Sequence, residues 1–173
     1  MKSIEITGKR NIDKLEKVKI PQRKDSMKWN LDESYFTYVK QVQLINCMYL
    51  DQLSVQDPET ILKREINKKI KGYKNQDVLK SFFDINYFIS LDQVIEKLML
   101  CKIKCFYCSE KCELLYKNSF AKKQWTLDRI DNDQGHNRDN VVICCLECNV
   151  KRGDMNSDRF KRGKEIKIVR KIS

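Results

Sequence analysis

An α+β fold is what this sequence predicts: a mainly helical N-terminal region, then a small strand–strand–helix unit that carries seven of the eight cysteines. Two observations predict it. From about residue 32 to residue 100, apolar side chains recur every three or four positions, the period of one helix face. After Leu100 that rhythm stops, and short β-branched runs alternate with Cys, Asn, Asp and Gly, which is strand and turn chemistry.

Taken in order, residues 1–30 have little apolar periodicity, many charges and Pro21, and read as a basic arm or linker. In residues 31–100 helices follow. Tyr35, Val39, Val42, Ile45 and Tyr49 mark one face of a helix of about four turns. Asp57-Pro58 opens the next, with Asp57 as N-cap and Pro58 at the first helical position. Leu62, Ile66 and Ile70 line its apolar face, Lys63, Arg64, Lys68, Lys69 and Lys71 its others, and Gly72 is a natural stop. A short helix is expected over residues 76–83. Ser90-Leu-Asp-Gln93 is a capping box that opens a helix with Val94, Ile95, Leu98 and Met99 inward. Phe82, Phe83, Tyr87 and Phe88 are expected in the core rather than as a stacking platform. Residues 101–160 form the site module, and residues 161–173 a basic tail.

Charged residues make up 34% of the chain, against about 25% in an average soluble protein. The apolar core must then be modest, and a metal staple would help it. The net charge of +11 favours a polyanionic partner, the more so because the basic residues crowd the N-terminal arm and the C-terminus. No run approaches the roughly 18–20 apolar residues of a membrane span, and the N-terminus lacks the apolar core of a secretion signal. The expected location is a reducing intracellular compartment, cytoplasm or nucleus, including those of an infected host cell. Cysteines there read as metal ligands or buried thiols, not as a disulfide framework.

Cys105-Phe-Tyr-Cys108 and Cys145-Leu-Glu-Cys148 are two C-x2-C pairs separated by 36 residues, 109–144. Each turn lets two thiolates bind one ion at about 2.3 Å, and two turns close a tetrahedron around zinc (Zn2+). A redox pair or buried free thiols are the other readings, but a redox pair needs no second copy. Four thiolates leave no open coordination position, so this ion is structural. Cys101, Cys112 and Cys144 are spare. Cys112 is close enough in sequence to enter the first knuckle, and Cys144 should point away from Cys145 along a strand.

Between the knuckles run Trp125-Thr-Leu-Asp128-Arg129-Ile-Asp131-Asn132, Gly135-His136 and Asn140-Val-Val-Ile, followed by Cys145-x-x-Cys148-Asn149. A strand over 125–130, turn chemistry over 132–135, a strand over 141–145 and a helix beginning at 148–149 are expected. This set of spaced elements resembles the HNH (His-Me finger, ββα-metal) endonuclease family, in the zinc-knuckled "LDRIDN" form seen in large DNA viruses, phages and mobile elements. The resemblance covers about residues 101–160. It implies a divalent ion, magnesium (Mg2+) or manganese, held by Asp128 on the first strand and Asn149 on the helix. It also implies that Asn140 braces the loop, and that Lys151 and Arg152 approach phosphate. The family carries its general-base His directly after the metal Asp, where this chain has Arg129. The base is then either His136, the sole histidine, or another group. Arg129 cannot be a base but suits a bidentate clamp on phosphate oxygens.

The expected activity is therefore metal-dependent hydrolysis of DNA, duplex or branched, with His136 as base because imidazole titrates near neutral pH. The rival expectation is a zinc-knuckle DNA-binding protein with a degenerate site, for which Arg129 is the best support. A zinc-stabilised protein-interaction module leaves Asp128, Asn140, Asn149 and the charge unexplained. A homodimer is left open.

Overall fold

The computed structural model describes residues 29–52 and 57–166. The basic arm up to residue 28 and the tail from residue 167 lie outside the described residues, as does the side chain of Asp57 and with it the capping role expected there. The described elements run α1 (Tyr38–Tyr49), α2 (Asp57–Leu79), α3 (Leu91–Leu100), β1 (Trp125–Arg129), β2 (Val141–Cys145), α4 (Leu146–Arg152) and α5 (Ser157–Glu165). The fold is α+β. β1 and β2 form a two-stranded antiparallel sheet in which Asp128 faces Val142 and Trp125 faces Cys145. No helix among the described residues is long and apolar enough to cross a membrane.

The first helix starts later than its apolar spacing implies, because Glu33–Phe36 is a 3-10 turn capped by Asp32. Its buried face also differs. Gln41, Leu44, Ile45 and Met48 are buried, while Val39 and Tyr49 are 66% and 45% exposed. The cause is a polar core residue. Gln41 is sealed in because its amide accepts from the backbone N–H groups of Leu114 (2.7 Å) and Leu115 (3.3 Å) and donates to the Leu115 carbonyl (3.1 Å). One glutamine thus ties α1 to the loop ahead of β1, and a purely apolar template does not find it.

Helix α2 begins at Asp57 as the Asp-Pro pair implies and buries Leu62 and Ile66, but it does not stop at Gly72. It continues to Leu79, so the separate helix expected over 76–83 is its last turns plus the bend that follows. Tertiary partners hold those turns: Tyr73 and Asp77 both contact the loop between the strands. Lys69 is not a solvated lysine either. Its amine donates to Trp125 O (2.5 Å) and Gln124 Oε1 (3.2 Å) and lies over the Trp125 and Tyr116 rings. Burial pulls its pKa down to about 8.

Helix α3 opens on the capping box, Ser90 accepting from Gln93 N–H and the Gln93 side chain accepting from Ser90 N–H. Its Val94, Ile95 and Leu98 pack inward. The aromatic group before it is more peripheral than expected: Phe82, Phe83 and Phe88 are half-buried and Tyr87 is 65% exposed. One apolar core runs through the whole, from Leu44, Ile45, Leu62 and Ile66 to Val94, Leu98, Leu127, Val141 and Ile143. The helices are therefore the far wall of the sheet's core. Gln41→Leu would orphan two buried N–H groups and a carbonyl, and should cost on the order of 3 kcal/mol. Chemical denaturation measures this, and a loss under about 0.5 kcal/mol would contradict the role given to Gln41.

Candidate functional site

The sulfurs of Cys105, Cys108, Cys145 and Cys148 all lie within 4.8 Å of one another, with Cys108 and Cys145 4.0 Å apart. Bonds of about 2.3 Å in a tetrahedron put sulfurs about 3.8 Å apart, so the cluster has the dimensions of a zinc site. Its electrostatics agree. Neighbouring thiols of Cys112 and Cys145 hold the Cys105 thiol far below its usual range, and Cys105 in turn pushes Cys145 up. Four sulfurs this close cannot all ionise unless a cation sits among them. The first knuckle is docked by Phe106 N–H on Ile143 O (2.9 Å), and the second begins α4. Cys112 lies beside Cys105 but outside the foursome, and Cys144 turns to Thr126 Oγ1 at 3.2 Å.

Inside the first knuckle, Tyr107 is buried and donates to Asp128 Oδ2 at 2.5 Å. Burial and that carboxylate both push its phenol pKa up, so it remains a donor. Asp128 is 5% exposed. Its other oxygen, Oδ1, accepts from Arg152 Nη2 at 2.9 Å, and Arg152 Nε lies 2.7 Å from Oδ2 at an angle that makes an ion-pair contact and not a hydrogen bond. Arg152 also donates to Arg129 O (2.7 Å), Asn132 Oδ1 (2.8 Å) and Met155 O (2.7 Å). At 4% exposure its contacts are internal. Arg152 thus ties α4 to β1 and to the loop after it, and it also borders an open cavity. Lys151 is exposed, off the cavity wall, and paired with Glu147 at 2.8 Å.

Asn140 braces the loop between the strands. Its amide donates to Asp131 O (2.9 Å) and Gly135 O (3.0 Å), and its Oδ1 accepts from Asp131 N–H (2.9 Å). His136, at the end of that loop, is 4% exposed and stacked on Tyr73, with ring centres 4.6 Å apart. Its Nδ1 is 2.7 Å from Asp77 Oδ1, and its backbone N–H donates to Asp77 Oδ2 at 2.6 Å. Burial lowers the imidazole pKa below its ordinary value, and Asp77 partly offsets this. The approach is so close that position 135 must be glycine, since a Cβ there would lie 2.6 Å from Phe82 O. Backbone bonds from Ile89 to His136 O (3.0 Å) and from Arg138 to Tyr87 O (2.9 Å) hold the loop's far side.

These groups border one open cavity of about 410 Å³, lined by Tyr73, Asp128, Arg129, His136, Asn149 and Arg152 among others. Arg129 reaches Gln134 O at 2.9 Å and lies over the Phe82 ring, 5.7 Å from its centre. Asn149 donates from Nδ2 to Thr126 Oγ1 (3.0 Å) and Leu127 O (3.2 Å). The sequence-derived residues Asp128, Arg129, His136 and Asn149 are therefore brought to one place. Sequence reasoning missed Asp77, Tyr73 and Tyr107. Tyr107 could have been found from its place inside a knuckle, whereas nothing local marks Asp77.

No protein-family model, curated protein or solved structure matches the chain, so the site's chemistry rests on its own geometry. The buried ion pair generates a prediction. Asp128→Ala leaves a buried guanidinium uncompensated and should cost about 3–5 kcal/mol in chemical denaturation. The double substitution Asp128→Ala with Arg152→Met should recover part of that loss. A change below about 1 kcal/mol for Asp128→Ala would mean that the pair contributes no more than a surface one.

Proposed function

We propose that this chain hydrolyses nucleic-acid phosphodiester bonds in the manner of an HNH endonuclease, with DNA as substrate and His136 as the base. The observation that carries the reading is the shared cavity: an imidazole, an arginine and a carboxamide meet on a strand–strand–helix unit stapled by four cysteines. His136 accepts the proton of an attacking water. Arg129 keeps N–H groups free of the Gln134 contact, and these stabilise the charge that develops on the phosphate oxygens. The P–O bond to the 3′-oxygen breaks, and that oxygen takes a proton from solvent water, leaving 5′-phosphate and 3′-hydroxyl ends. The basic surface supplies the sequence-independent attraction to the strand.

The divalent ion expected at Asp128 and Asn149 fits only in part. Asn149 commits its nitrogen to β1, which leaves its carbonyl oxygen for a hard cation. Asp128 does not fit: both of its oxygens are engaged by Arg152 and Tyr107, and its charge is already balanced. Magnesium or manganese would compete with a fixed guanidinium there, so no step is routed through either ion. The same closed pair favours a second reading, a zinc-knuckle protein that binds DNA without cutting it.

Supercoiled plasmid incubated with zinc-loaded protein, with and without added magnesium or manganese, separates the readings. The hydrolase reading predicts nicked or linear products, and a rate at least ~100-fold lower for His136→Ala. Cleavage without added ion matches the Asp128–Arg152 geometry, and cleavage only with magnesium or manganese supports the ion expected at Asp128 and Asn149. Salt-sensitive binding with no cleavage establishes the second reading. Neither binding nor cleavage overturns both.

A further inference from the structure

Asp77 belongs to α2, outside the strand–strand–helix unit, and nothing in its local sequence marks it. It is 1% exposed, and both of its oxygens are used on one residue. Oδ2 accepts the backbone N–H of His136 at 2.6 Å, and Oδ1 lies 2.7 Å from the Nδ1 of the same residue. A carboxylate that accepts at both oxygens pairs with an imidazole that carries its proton on Nδ1. A neutral imidazole then carries its lone pair on Nε2. Among the described residues no hydrogen bond engages that nitrogen, and the ring borders the cavity.

We propose that Asp77 is the positioning residue of the site: it fixes His136 as the Nδ1–H tautomer and presents Nε2 to the cavity as proton acceptor. The catalytic half of this statement rests on the hydrolase reading; the tautomer does not. The surroundings are built to hold this one arrangement. Tyr73, one turn earlier on α2, stacks on the ring, and its hydroxyl accepts from Leu127 N–H at 3.0 Å. Gly135 lets the loop come within reach, since a Cβ there would also stand 3.0 Å from Asp77 Oδ2. The groups acting on the imidazole are few. Burial opposes its charged form, as does Arg129 from β1, whereas Asp77 from α2 and Asp128 from β1 favour it.

His136 is the sole histidine, so ¹⁵N-histidine labelling of the full zinc-loaded chain gives one imidazole, whose tautomer a two-bond proton–nitrogen correlation spectrum reads directly. The wild type should show Nδ1 protonated and Nε2 bare at neutral pH. Asp77→Asn offers one acceptor where two donors point, so the variant should lose the pure Nδ1–H form. Its cleavage rate should fall about 100-fold with KM little changed. The acid limb of its pH–rate profile should move to lower pH, because a carboxylate that favoured the imidazolium is gone. A merely structural Asp77 would move neither tautomer nor pH profile.

A wild-type spectrum showing Nε2–H overturns the proposal, and it does so even if Asp77→Asn fails to fold. Asp77→Asn with an unchanged tautomer and pH profile also overturns it. If the wild type shows Nδ1–H, the variant loses it and neither cleaves nucleic acid, the positioning of His136 stands and the hydrolase reading falls.

Discussion

Four cysteine sulfurs held within 4.8 Å of one another are the constraint on which the rest of this site depends. Bringing them together joins a loop before the sheet to the junction of β2 and α4, two places far apart in sequence. Without a cation that junction would concentrate thiols that oppose one another's ionisation; with one it becomes a closed tetrahedral staple. The staple's reach is longer than its ligands. Tyr107 sits inside the first knuckle and bonds Asp128, Asp128 pairs with Arg152, and Arg152 gathers the backbone at Arg129 and Met155 and the side chain of Asn132. A metal at the knuckles would thereby set the floor of a cavity that it does not touch.

The second constraint comes from the helical region. The last turns of α2 and the segment after it fasten the loop between the strands at Asp77, Tyr87 and Ile89. Asn140 fastens the same loop from the strand side. His136 lies between these two sets of contacts, buried yet bordering the cavity. The helices and the cysteine-bearing unit therefore meet at the histidine as well as through their common apolar core.

Much of this was legible in the amino-acid sequence wherever the signal is local. The Ser90–Gln93 capping box, the Asp57-Pro58 helix start, the two C-x2-C turns and the strand–loop–strand–helix order each depend on a few neighbouring residues, and each stands where it was read. What was not legible depends on partners distant in sequence. Gly72 is a stop by propensity, yet α2 runs through it because Tyr73 and Asp77 have partners about sixty residues later. Gln41 broke the apolar pattern of α1 because its acceptors and donors lie 73 and 74 residues away. Arg152 was placed near phosphate by the resemblance alone, and only the packed structure shows its charge matched by Asp128.

The same matching determines how the cavity treats charge. Asp128 and Arg152 pair at its floor, and Arg129, His136 and Asn149 border the same cavity together with Gln76, Asn132 and Asp154. Native mass spectrometry of protein purified without chelator tests the staple most directly. One zinc ion per folded chain is predicted, lost together with the folded charge-state distribution when Cys145→Ser removes a ligand. A folded wild-type chain that carries no zinc would contradict the account.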